Sequence, residues 1–542
     1  MPSSMAISYY FLFLLFPSVL RLFLDDCSDR KVEAYGFKEM TQNFQSQSHV
    51  VSLSSLMPAQ VCSTPAQGSD ILSRGELQVT HKHGPCSPLK EANKKIPSLT
   101  QILMDDRSRI KFIHSKISNQ DLVTNFASKI PANSGYSLGT ENFVVRIGLG
   151  TPMQNLTLIL DTGSDLTWVQ CQPCVANCYL QQDPLFNPSA SSTYSNITCN
   201  SHACAQLQQS TGNSRSCNTT CIYQIAYGDG SSYSEGYFAT DTLTLSDLSS
   251  SDNVFPKFEF GCGENNQGQF GSADGLLGLG RNQVSMVSQT AQKYRKLFSY
   301  CLPSTRSSTG FLAFGSQVGD HDHHSSSSSS APQYTPLLID SNIPSFYFIT
   351  MMGISVGGKN LSIPQSVFTT SGTIIDSGTV ITRLPPAAYS ALRSAFRQAM
   401  SEYPVYSIEY TYVMLDTCYN LNGYDTITIP TIVLHFAGGV NLSIDQSGIL
   451  IQANKTHYCL AFAGNNAGND LGILGNLQQR GIEVIYNVTG GKLGFGTSAC
   501  STETAVSTPP PMTAPAPAPA PHPMETQALC TSINIILPQQ LI

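Results

Sequence analysis

A motif that occurs twice constrains the fold of this chain more than any other feature of its sequence. An apolar, strand-like run ends in an aspartate and a tight turn, and each copy is followed later by two apolar residues and a glycine. The four segments are residues 158–164, 276–278, 373–379 and 473–475. A duplication of this kind indicates two similar halves related by a pseudo-twofold axis. Such an axis would place Asp161 and Asp376 face to face.

Two facing carboxylates supply an acid and a base within one pocket. Carboxylates held close together do not both ionise easily and so share one proton, an effect best known from the aspartic proteases themselves. One carboxylate then takes a proton from a bound water that attacks a peptide carbonyl, while the other protonates the carbonyl oxygen. We therefore predict that Asp161 and Asp376 are the catalytic residues of a peptide hydrolase that uses no metal and no cofactor.

The residues that follow each aspartate suit this role. A glycine two positions on allows a tight turn that brings amides close to the carboxylate, and a hydroxyl three positions on can donate to the outer oxygen. These residues are Gly163, Ser164, Gly378 and Thr379. The hydroxyls of Thr162 and Ser377 are placed to brace the two turns across the axis. One such motif alone fits an ordinary Asx turn, but two copies favour a catalytic pair.

Composition agrees with a β-sheet protein of two lobes. The 542 residues exceed one average domain, and only 12% of them are charged. Glycines and short β-branched runs are frequent, which favours an all-β fold. The net charge of −7 gives no electrostatic reason to expect nucleic acid as a partner.

The 16 cysteines indicate disulfides formed in an oxidising compartment. Eight of them crowd into residues 171–262, where the sequence alone leaves the pairing open. The alternative for Cys171 and Cys174 is a zinc site, since their spacing is that of zinc ligands. No second pair of ligands accompanies them, and we therefore predict disulfides and no metal site.

Residues 25–135 are predicted to form an inhibitory prosegment. They lack the rhythm of short strands and turns that characterises the rest of the chain. Residues 98–101 fit a capping box, and apolar residues then recur at helical spacing as far as Ile117. Residues 90–129 contain eight basic and four acidic side chains, whereas the remainder of the chain carries −11. We expect cations of this helix to lie on carboxylates of the site; the alternative is a solvated linker helix.

The remaining segments follow from composition and pattern. An apolar run at residues 9–20 has the length of a signal-peptide core and is too short to span a membrane. The predicted segments are a signal peptide at 1–24, an N-terminal lobe with a cysteine-rich insert at 136–315, a His/Ser-rich loop at 316–332, a C-terminal lobe at 333–500 and a Pro/Ala-rich tail at 501–542. Seven N-x-[ST] sites in the lobes predict glycosylation during secretion.

The motif DTGSDLTWVQCQPC, which begins at Asp161, and the cysteine-rich insert up to Cys221 resemble the plant nepenthesin-like branch of the pepsin-type aspartic proteases. The resemblance extends over residues 141–500. It implies two β lobes with a long cleft between them, and a zymogen that matures to an endopeptidase with an acid pH optimum. Residues 81–88 also resemble the prosegment of a plant subgroup that includes a protein described as chloroplast-nucleoid DNA-binding.

Further site residues are implied by this resemblance. Tyr227 matches the tyrosine of the flap, a hairpin over the cleft, and alternation around the Gly-Asp-Gly turn at 228–230 independently predicts a hairpin. Trp168 matches the tryptophan that hydrogen-bonds the flap tyrosine. Ordinary packing is the alternative for both aromatic residues. The resemblance also implies the disulfides Cys418–Cys459 and Cys301–Cys500.

Three functional hypotheses differ in what they require. An endopeptidase needs both aspartate motifs and Tyr227, all of which are intact here. A protein-binding or inhibitor protein on the same fold, as among the xylanase inhibitors, needs neither carboxylate. DNA binding needs a basic surface, which an acidic mature region does not predict. We expect a monomeric enzyme that acts on proteins or peptides, has no membrane span when mature and is secreted to the apoplast, with vacuole and plastid as alternatives.

Overall fold

The computed structural model describes fourteen stretches of the chain. They are residues 47–57, 61–63, 77–89, 98–117, 143–211, 219–227, 230–245, 253–268, 270–315, 331–340, 343–370, 372–406, 415–468 and 470–496. The predicted signal peptide, nearly all of the predicted His/Ser-rich loop and the predicted tail lie outside these residues.

The region predicted as a prosegment contributes three regular elements and a short 3-10 helix at Leu53–Leu56. The elements are β1 (Ser48–Ser52), β2 (Leu77–His81) and α1 (Leu99–Ile117). The predicted capping box begins α1, because the Ser98 hydroxyl accepts a hydrogen bond from the Gln101 amide at 3.3 Å. Beside the predicted helix, the structure places two strands of five residues each, β1 and β2, in this region.

The first half of the remaining chain is a succession of strands with three helices. The elements are β3 (Phe143–Leu149), β4 (Gln154–Asp161), β5 (Trp168–Gln170), β6 (Ser195–Asn196), α2 (His202–Thr211), β7 (Ile222–Tyr227), β8 (Ser232–Thr244), β9 (Val254–Gln267), β10 (Gly275–Gly278), α3 (Met286–Gln289), α4 (Ala291–Tyr294), β11 (Leu297–Cys301) and β12 (Thr309–Phe314). A 3-10 helix lies at Pro188–Ala190.

The second half repeats this pattern with shorter strands. The elements are β13 (Gln333–Pro336), β14 (Tyr347–Ile349), β15 (Met351–Val356), β16 (Lys359–Asn360), α5 (Ser366–Thr369), β17 (Thr373–Ile375), β18 (Thr382–Leu384), α6 (Pro386–Ala399), β19 (Cys418–Asn420), β20 (Thr426–Pro430), β21 (Ile432–Phe436), β22 (Val440–Ser443), α7 (Gln446–Ile449), β23 (Leu450–Gln452), β24 (His457–Leu460), β25 (Phe462–Gly464), β26 (Gly472–Leu474), β27 (Glu483–Asn487) and β28 (Lys492–Gly496). A 3-10 helix lies at Asn476–Gln479.

These strands form an all-β architecture of two lobes. Most strands of the first half belong to one sheet of 14 strands, while the second half holds sheets of five, four and three strands. Strands β13, β27 and β28 of the second half extend the large sheet beyond β11. The predicted prosegment pairs with strands of both lobes, since β2 lies between β12 and β3 and β1 pairs with β20. None of the described helices is long and apolar enough to cross a membrane.

Disulfides stabilise both lobes and the predicted prosegment. The pairs with both cysteines among the described residues are Cys62–Cys86, Cys171–Cys262, Cys174–Cys178, Cys204–Cys221 and Cys418–Cys459. The last pair confirms the pairing implied by the family resemblance. Cys301 is also in a disulfide, but its expected partner Cys500 lies outside the described residues. Cys171 and Cys174 belong to two different disulfides, which take up the thiolates that a zinc ion would need.

Candidate active site

Each aspartate predicted to be catalytic lies at the end of a strand with a parallel neighbour. Asp161 is the last residue of β4, and β10 pairs with β4 so that Gly278 lies opposite Asp161. Asp376 follows β17, and β26 pairs with β17 in the same parallel manner. The two apolar-apolar-Gly segments of the sequence are therefore the strands that flank the aspartates, once in each half.

A glycine is required where each flanking strand ends. A Cβ on Gly278 would lie 2.2 Å from the carbonyl oxygen of Asp165, and a Cβ on Gly475 would lie 2.6 Å from the carbonyl carbon of Ile381. Both neighbours are backbone atoms, which cannot move aside as a flexible side chain can. The glycines therefore allow the chain to pass close behind the catalytic turns.

Hydroxyl groups hold the two carboxylates in matching orientations. Ser164 Oγ donates to Asp161 Oδ2 at 2.7 Å, and Thr379 Oγ1 donates to Asp376 Oδ2 at 2.6 Å. Both aspartates are almost completely buried. The hydroxyls thus occupy the outer oxygens, as predicted from their positions three residues after each aspartate, and leave the inner oxygens facing one another.

Backbone amides and a cross-axis brace complete this arrangement. The amides of Gly163 and Gly378 each donate to the inner Oδ1 of their own aspartate at 3.0 Å. The Thr162 amide donates to Ser377 Oγ at 3.0 Å, and the Ser377 amide donates to Thr162 Oγ1 at 2.9 Å. This reciprocal exchange ties the two turns together, so the separation of the carboxylates is set by hydrogen bonds between the lobes.

The two predicted aromatic residues form a hydrogen-bonded pair beside Asp161. Trp168 Nε1 donates to the Tyr227 hydroxyl at 2.8 Å, and the rings of both residues contact Phe270 edge-on. Burial raises the pKa of Tyr227, and the negative charge of Asp161 raises it further. Tyr227 ends β7, which pairs with β8 as the predicted hairpin, although residues 228–229 lie outside the described residues.

Helix α1 covers the two carboxylates and places a guanidinium on them. Arg109 Nη2 donates to Asp161 Oδ1 at 2.6 Å and to Asp376 Oδ1 at 2.9 Å, while its Nε donates to Asp376 Oδ2 at 2.9 Å. Burial opposes the charge on Arg109, but the two carboxylates outweigh burial and raise the pKa of the guanidinium. One nitrogen therefore bridges both inner oxygens, at the place where a water and a peptide carbonyl would have to lie.

Apolar contacts hold α1 in this position on both sides of Arg109. Towards its start, Leu99, Ile102 and Leu103 belong to a buried cluster with Val380 and Ile381 of the second lobe. Towards its end, Ile110 and Ile113 belong to a second buried cluster that includes Ile374 and Ile473. The periodicity that predicted the helix is thus the periodicity of its contacts with the lobes.

A second charged residue of α1 also contacts the lobes. Asp106 is fully buried; its Oδ2 lies 3.1 Å from Arg383 Nη2, and its Oδ1 accepts a hydrogen bond from the Val380 amide at 2.7 Å. Burial raises the pKa of Asp106, although the charge of Arg383 acts in the opposite direction.

Sequence reasoning identified the residues of the dyad and predicted that cations of the helix lie on carboxylates of the site, but it did not identify the individual residues that do so. All eight residues predicted for catalysis and flap binding lie at this site. Arg109, Asp106 and Arg383 were not singled out, and only Arg109 had a signal in the sequence, the excess of basic residues around α1. Within the described ranges, no group of three or more His, Cys, Asp or Glu residues could hold a metal ion.

Comparison with known proteins gives a consistent result. Residues 143–316 match a family model described as xylanase inhibitor N-terminal, and residues 346–497 match one described as xylanase inhibitor C-terminal. An aspartyl protease family protein of Arabidopsis thaliana is 45% identical over 472 residues, which cover 86% of this chain and 96% of that protein. Aspartic proteinase nepenthesin-2 of Nepenthes gracilis is 37% identical, with 67% of this chain and 78% of that protein covered.

Two solved structures share the fold at low sequence identity. The crystal structure of edgp superposes with a TM-score of 0.52 at 20% identity and covers 66% of this chain and 91% of that chain. Basic 7S globulin from soybean superposes with a TM-score of 0.51 at 21% identity and covers 66% and 92%, respectively.

Proposed function

The chain belongs to the pepsin-type aspartyl proteases of plants and is an aspartic endopeptidase, and we propose that the form described here is its autoinhibited precursor. Asp161 and Asp376 are the catalytic pair in this proposal, and α1 is the inhibitory element. The contact of Arg109 with both inner carboxylate oxygens carries the proposal, because it fills the position of the attacking water.

After α1 leaves the cleft, the two carboxylates are free to act on substrate. One carboxylate removes a proton from a water held between the inner oxygens, and the other donates a proton to the peptide carbonyl oxygen. The hydroxyls of Ser164 and Thr379 keep the outer oxygens in place, so neither carboxylate has to reorganise during the reaction. The hairpin of Tyr227 closes over the bound peptide and excludes bulk water.

Acidic conditions are the expected trigger for the release of α1. The three hydrogen bonds to Arg109 are charge-assisted and depend on ionised carboxylates. Cleavage between about residues 129 and 141 is then expected to make the release permanent.

Cleavage of an unfolded protein substrate across pH 3 to 7 tests this proposal. The wild-type chain, Asp161→Asn and Asp376→Asn are compared with and without a statine-containing inhibitor that mimics the transition state. We expect acid-dependent cleavage that either substitution and the inhibitor abolish, together with a new amino terminus between residues 129 and 141. Full activity of the unprocessed chain at pH 7 would refute the autoinhibited precursor.

A binding protein on the same fold is the alternative function. The two family models are described by the name of xylanase inhibitors. Against this alternative, both carboxylates retain their hydroxyl and amide donors, and a binding protein has no need of a complete set. A folded, processed wild-type chain that cleaves nothing would favour the alternative, and proteins that occupy the cleft would then be sought.

We also propose that the enzyme is a secreted, glycosylated monomer without nucleic-acid partners. Five of the seven acceptor asparagines have exposed side chains: Asn155, Asn196, Asn360, Asn441 and Asn454. Expression in plant cells tests this set of proposals. We expect the protein in the apoplastic fluid, a loss of mass on enzymatic deglycosylation, a monomer on gel filtration and no salt-dependent binding to DNA. Retention of an unglycosylated protein in plastids would contradict the secretory route.

A further inference from the structure

Three buried polar side chains connect the two catalytic turns through the interior of the protein: Gln479, Tyr300 and Tyr486. Gln479 is the last residue of the 3-10 helix that follows β26, Tyr300 lies on β11 and Tyr486 lies on β27. All three are inaccessible to solvent. A polar group in such surroundings is costly unless each donor and acceptor has a partner. The partners of these groups therefore indicate what the three side chains do.

The side-chain amide of Gln479 lies between two carbonyl groups and one hydroxyl. Its nitrogen Nε2 is 2.8 Å from the carbonyl oxygen of Leu474 and 3.3 Å from that of Asp376. Only the amide nitrogen can donate to two carbonyls, so the amide oxygen Oε1 faces the Tyr300 hydroxyl, which donates to it. Gln479 thus binds the end of β26 and the peptide of the catalytic Asp376 at the same time.

The orientation of the remaining hydroxyl groups follows from this assignment. A tyrosine hydroxyl has one proton, and that of Tyr300 is donated to Gln479. The Tyr486 hydroxyl, 2.9 Å away, must therefore donate to the Tyr300 oxygen. The oxygen of Tyr486 remains as an acceptor for Thr162, with whose side chain it forms a hydrogen bond. One directed chain of hydrogen bonds therefore leads from the first catalytic turn to the second.

The two tyrosines keep their protons at every pH at which a protease would work. Burial raises the pKa of Tyr300 and of Tyr486, and the negative charge of Asp376 raises both further. Both groups therefore remain neutral donors. Hydrogen bonds in a buried chain polarise one another, so the loss of one link weakens the others.

The two aspartates are held differently at their backbone carbonyls. The Asp161 carbonyl accepts a hydrogen bond from the Leu279 amide at 2.9 Å, a backbone donor that any residue other than proline would supply. The Asp376 carbonyl accepts from the Thr379 amide of its own turn at 3.4 Å and from Gln479 at 3.3 Å. The pseudo-twofold symmetry is therefore broken here, and the second turn depends on one particular side chain.

We infer that Gln479, Tyr300 and Tyr486 are positioning residues of the catalytic pair: their hydrogen bonds fix the peptide of Asp376 relative to the Thr162 hydroxyl and so hold the two carboxylates at their catalytic separation. The inference rests on the proposed function, since this separation matters only if the pair acts on a substrate. Because the three side chains are fully buried, they do not touch the substrate, and their loss should lower kcat rather than raise KM. A small misplacement of a reacting group slows a reaction strongly.

Removal of single hydroxyl groups tests the inference in the full chain after activation at acidic pH. Tyr300→Phe and Tyr486→Phe each remove one link and keep the aromatic ring. Cleavage of one peptide is measured at the pH optimum of the wild type, and active sites are counted by titration with the statine-containing inhibitor. We expect kcat to fall about tenfold in each variant, while KM changes by less than about twofold. Since both substitutions interrupt the same chain, the double variant should be no slower than the slower single variant.

Tyr403→Phe is the matched control. Tyr403 is also buried, and its hydroxyl accepts a hydrogen bond from the Thr428 amide at 2.7 Å, outside this chain. We expect its melting temperature to fall as in the other variants, but its kcat to equal that of the wild type. Gln479→Met has a side chain of similar length that cannot donate, and it should lower kcat at least as much as the tyrosine variants.

The outcomes separate this inference from the proposed function. Wild-type kcat in folded Tyr300→Phe and Tyr486→Phe, or an equal loss of kcat in Tyr403→Phe, would overturn the positioning role and leave the protease intact. An activated wild type that cleaves no peptide would overturn the proposed function and this inference with it.

Discussion

Replacement of Arg109 by glutamine in the full-length precursor is the sharpest test of autoinhibition. The substitution removes three charge-assisted hydrogen bonds and leaves two buried carboxylates beneath α1 without their cation. Loss of one partner from a buried ion pair costs about 3–5 kcal/mol. The apolar contacts of α1 remain, so the helix should still dock, but the equilibrium for its opening should shift by roughly a hundredfold to a few thousandfold.

Hydrogen exchange of α1 at pH 7 measures this shift directly. Backbone amides of Leu99–Ile117 exchange through opening of the helix, so Arg109→Gln should accelerate their exchange by the same factor, while amides of β4 and β10 keep their rates. Arg107→Gln is a matched control, because Arg107 has an exposed side chain on the same helix. Arg109→Lys keeps the charge but not the forked geometry and should lie between the two.

The expected functional consequence is access to the dyad at neutral pH. A statine-containing inhibitor on a resin should retain Arg109→Gln at pH 7 far better than the wild type or Arg107→Gln. If Arg109→Gln stays folded and shows wild-type exchange in α1 and wild-type exclusion from the resin, the contact with the dyad does not hold the helix in place. The reasoning from the buried ion pair would then be refuted.

Three further substitutions test the site and its surroundings. Trp168→Phe leaves the buried Tyr227 hydroxyl without its donor and should lower the free energy of unfolding by about 1–3 kcal/mol in denaturant titrations. A double variant with Tyr227→Phe should lower the free energy of unfolding by less than the sum of the two single variants. Thr162→Val leaves the buried Ser377 amide without its acceptor, so the free energy of unfolding should again fall by about 1–3 kcal/mol and kcat should decrease. An unchanged melting temperature and an unchanged rate would show that this hydrogen bond does not hold the two turns together. Burial and the nearby Asp183 raise the pKa of Asp274 to about 8, so its contribution to stability is complete below about pH 4 and is lost as the pH rises through 8. Melting temperatures at pH 4, 6 and 8 should therefore fall less steeply in Asp274→Asn than in the wild type.

The duplicated motif explains why the catalytic pair could be predicted from sequence. A pseudo-twofold axis is visible in the sequence as a repeated motif, because each half must supply its own strand, aspartate, turn and flanking strand. The same repeat predicts the roles of the Ser164 and Thr379 hydroxyls, since the turn fixes their distance from the aspartate. The prediction needed no knowledge of how distant segments pack, and the observed hydrogen bonds agree with it.

The contacts of α1 could not be predicted in the same way. Arg109 is one of eight basic residues between positions 90 and 129, and it has no duplicate in the other half. Which cation reaches the dyad depends on the rotation and depth of α1 in the cleft, and those are set by Ile102, Ile110 and their apolar contacts in the lobes. Sequence periodicity predicts the helix and its apolar face, but it does not predict which surface of the lobes packs against that face.

The placement of β2 shows how the predicted prosegment joins the sheet of the first lobe. The strand pairs with β12 through Thr309–Leu312 and with β3 through Val144, in the interior of the large sheet. Its residues Leu77 and Val79 are buried in the same core cluster as the first lobe. Departure of β2 would expose unpaired edges on both neighbouring strands, which is costly until another segment takes its place. Cleavage of the chain after α1 is therefore expected to leave β2 bound to the large sheet by its hydrogen bonds, even when α1 has left the cleft.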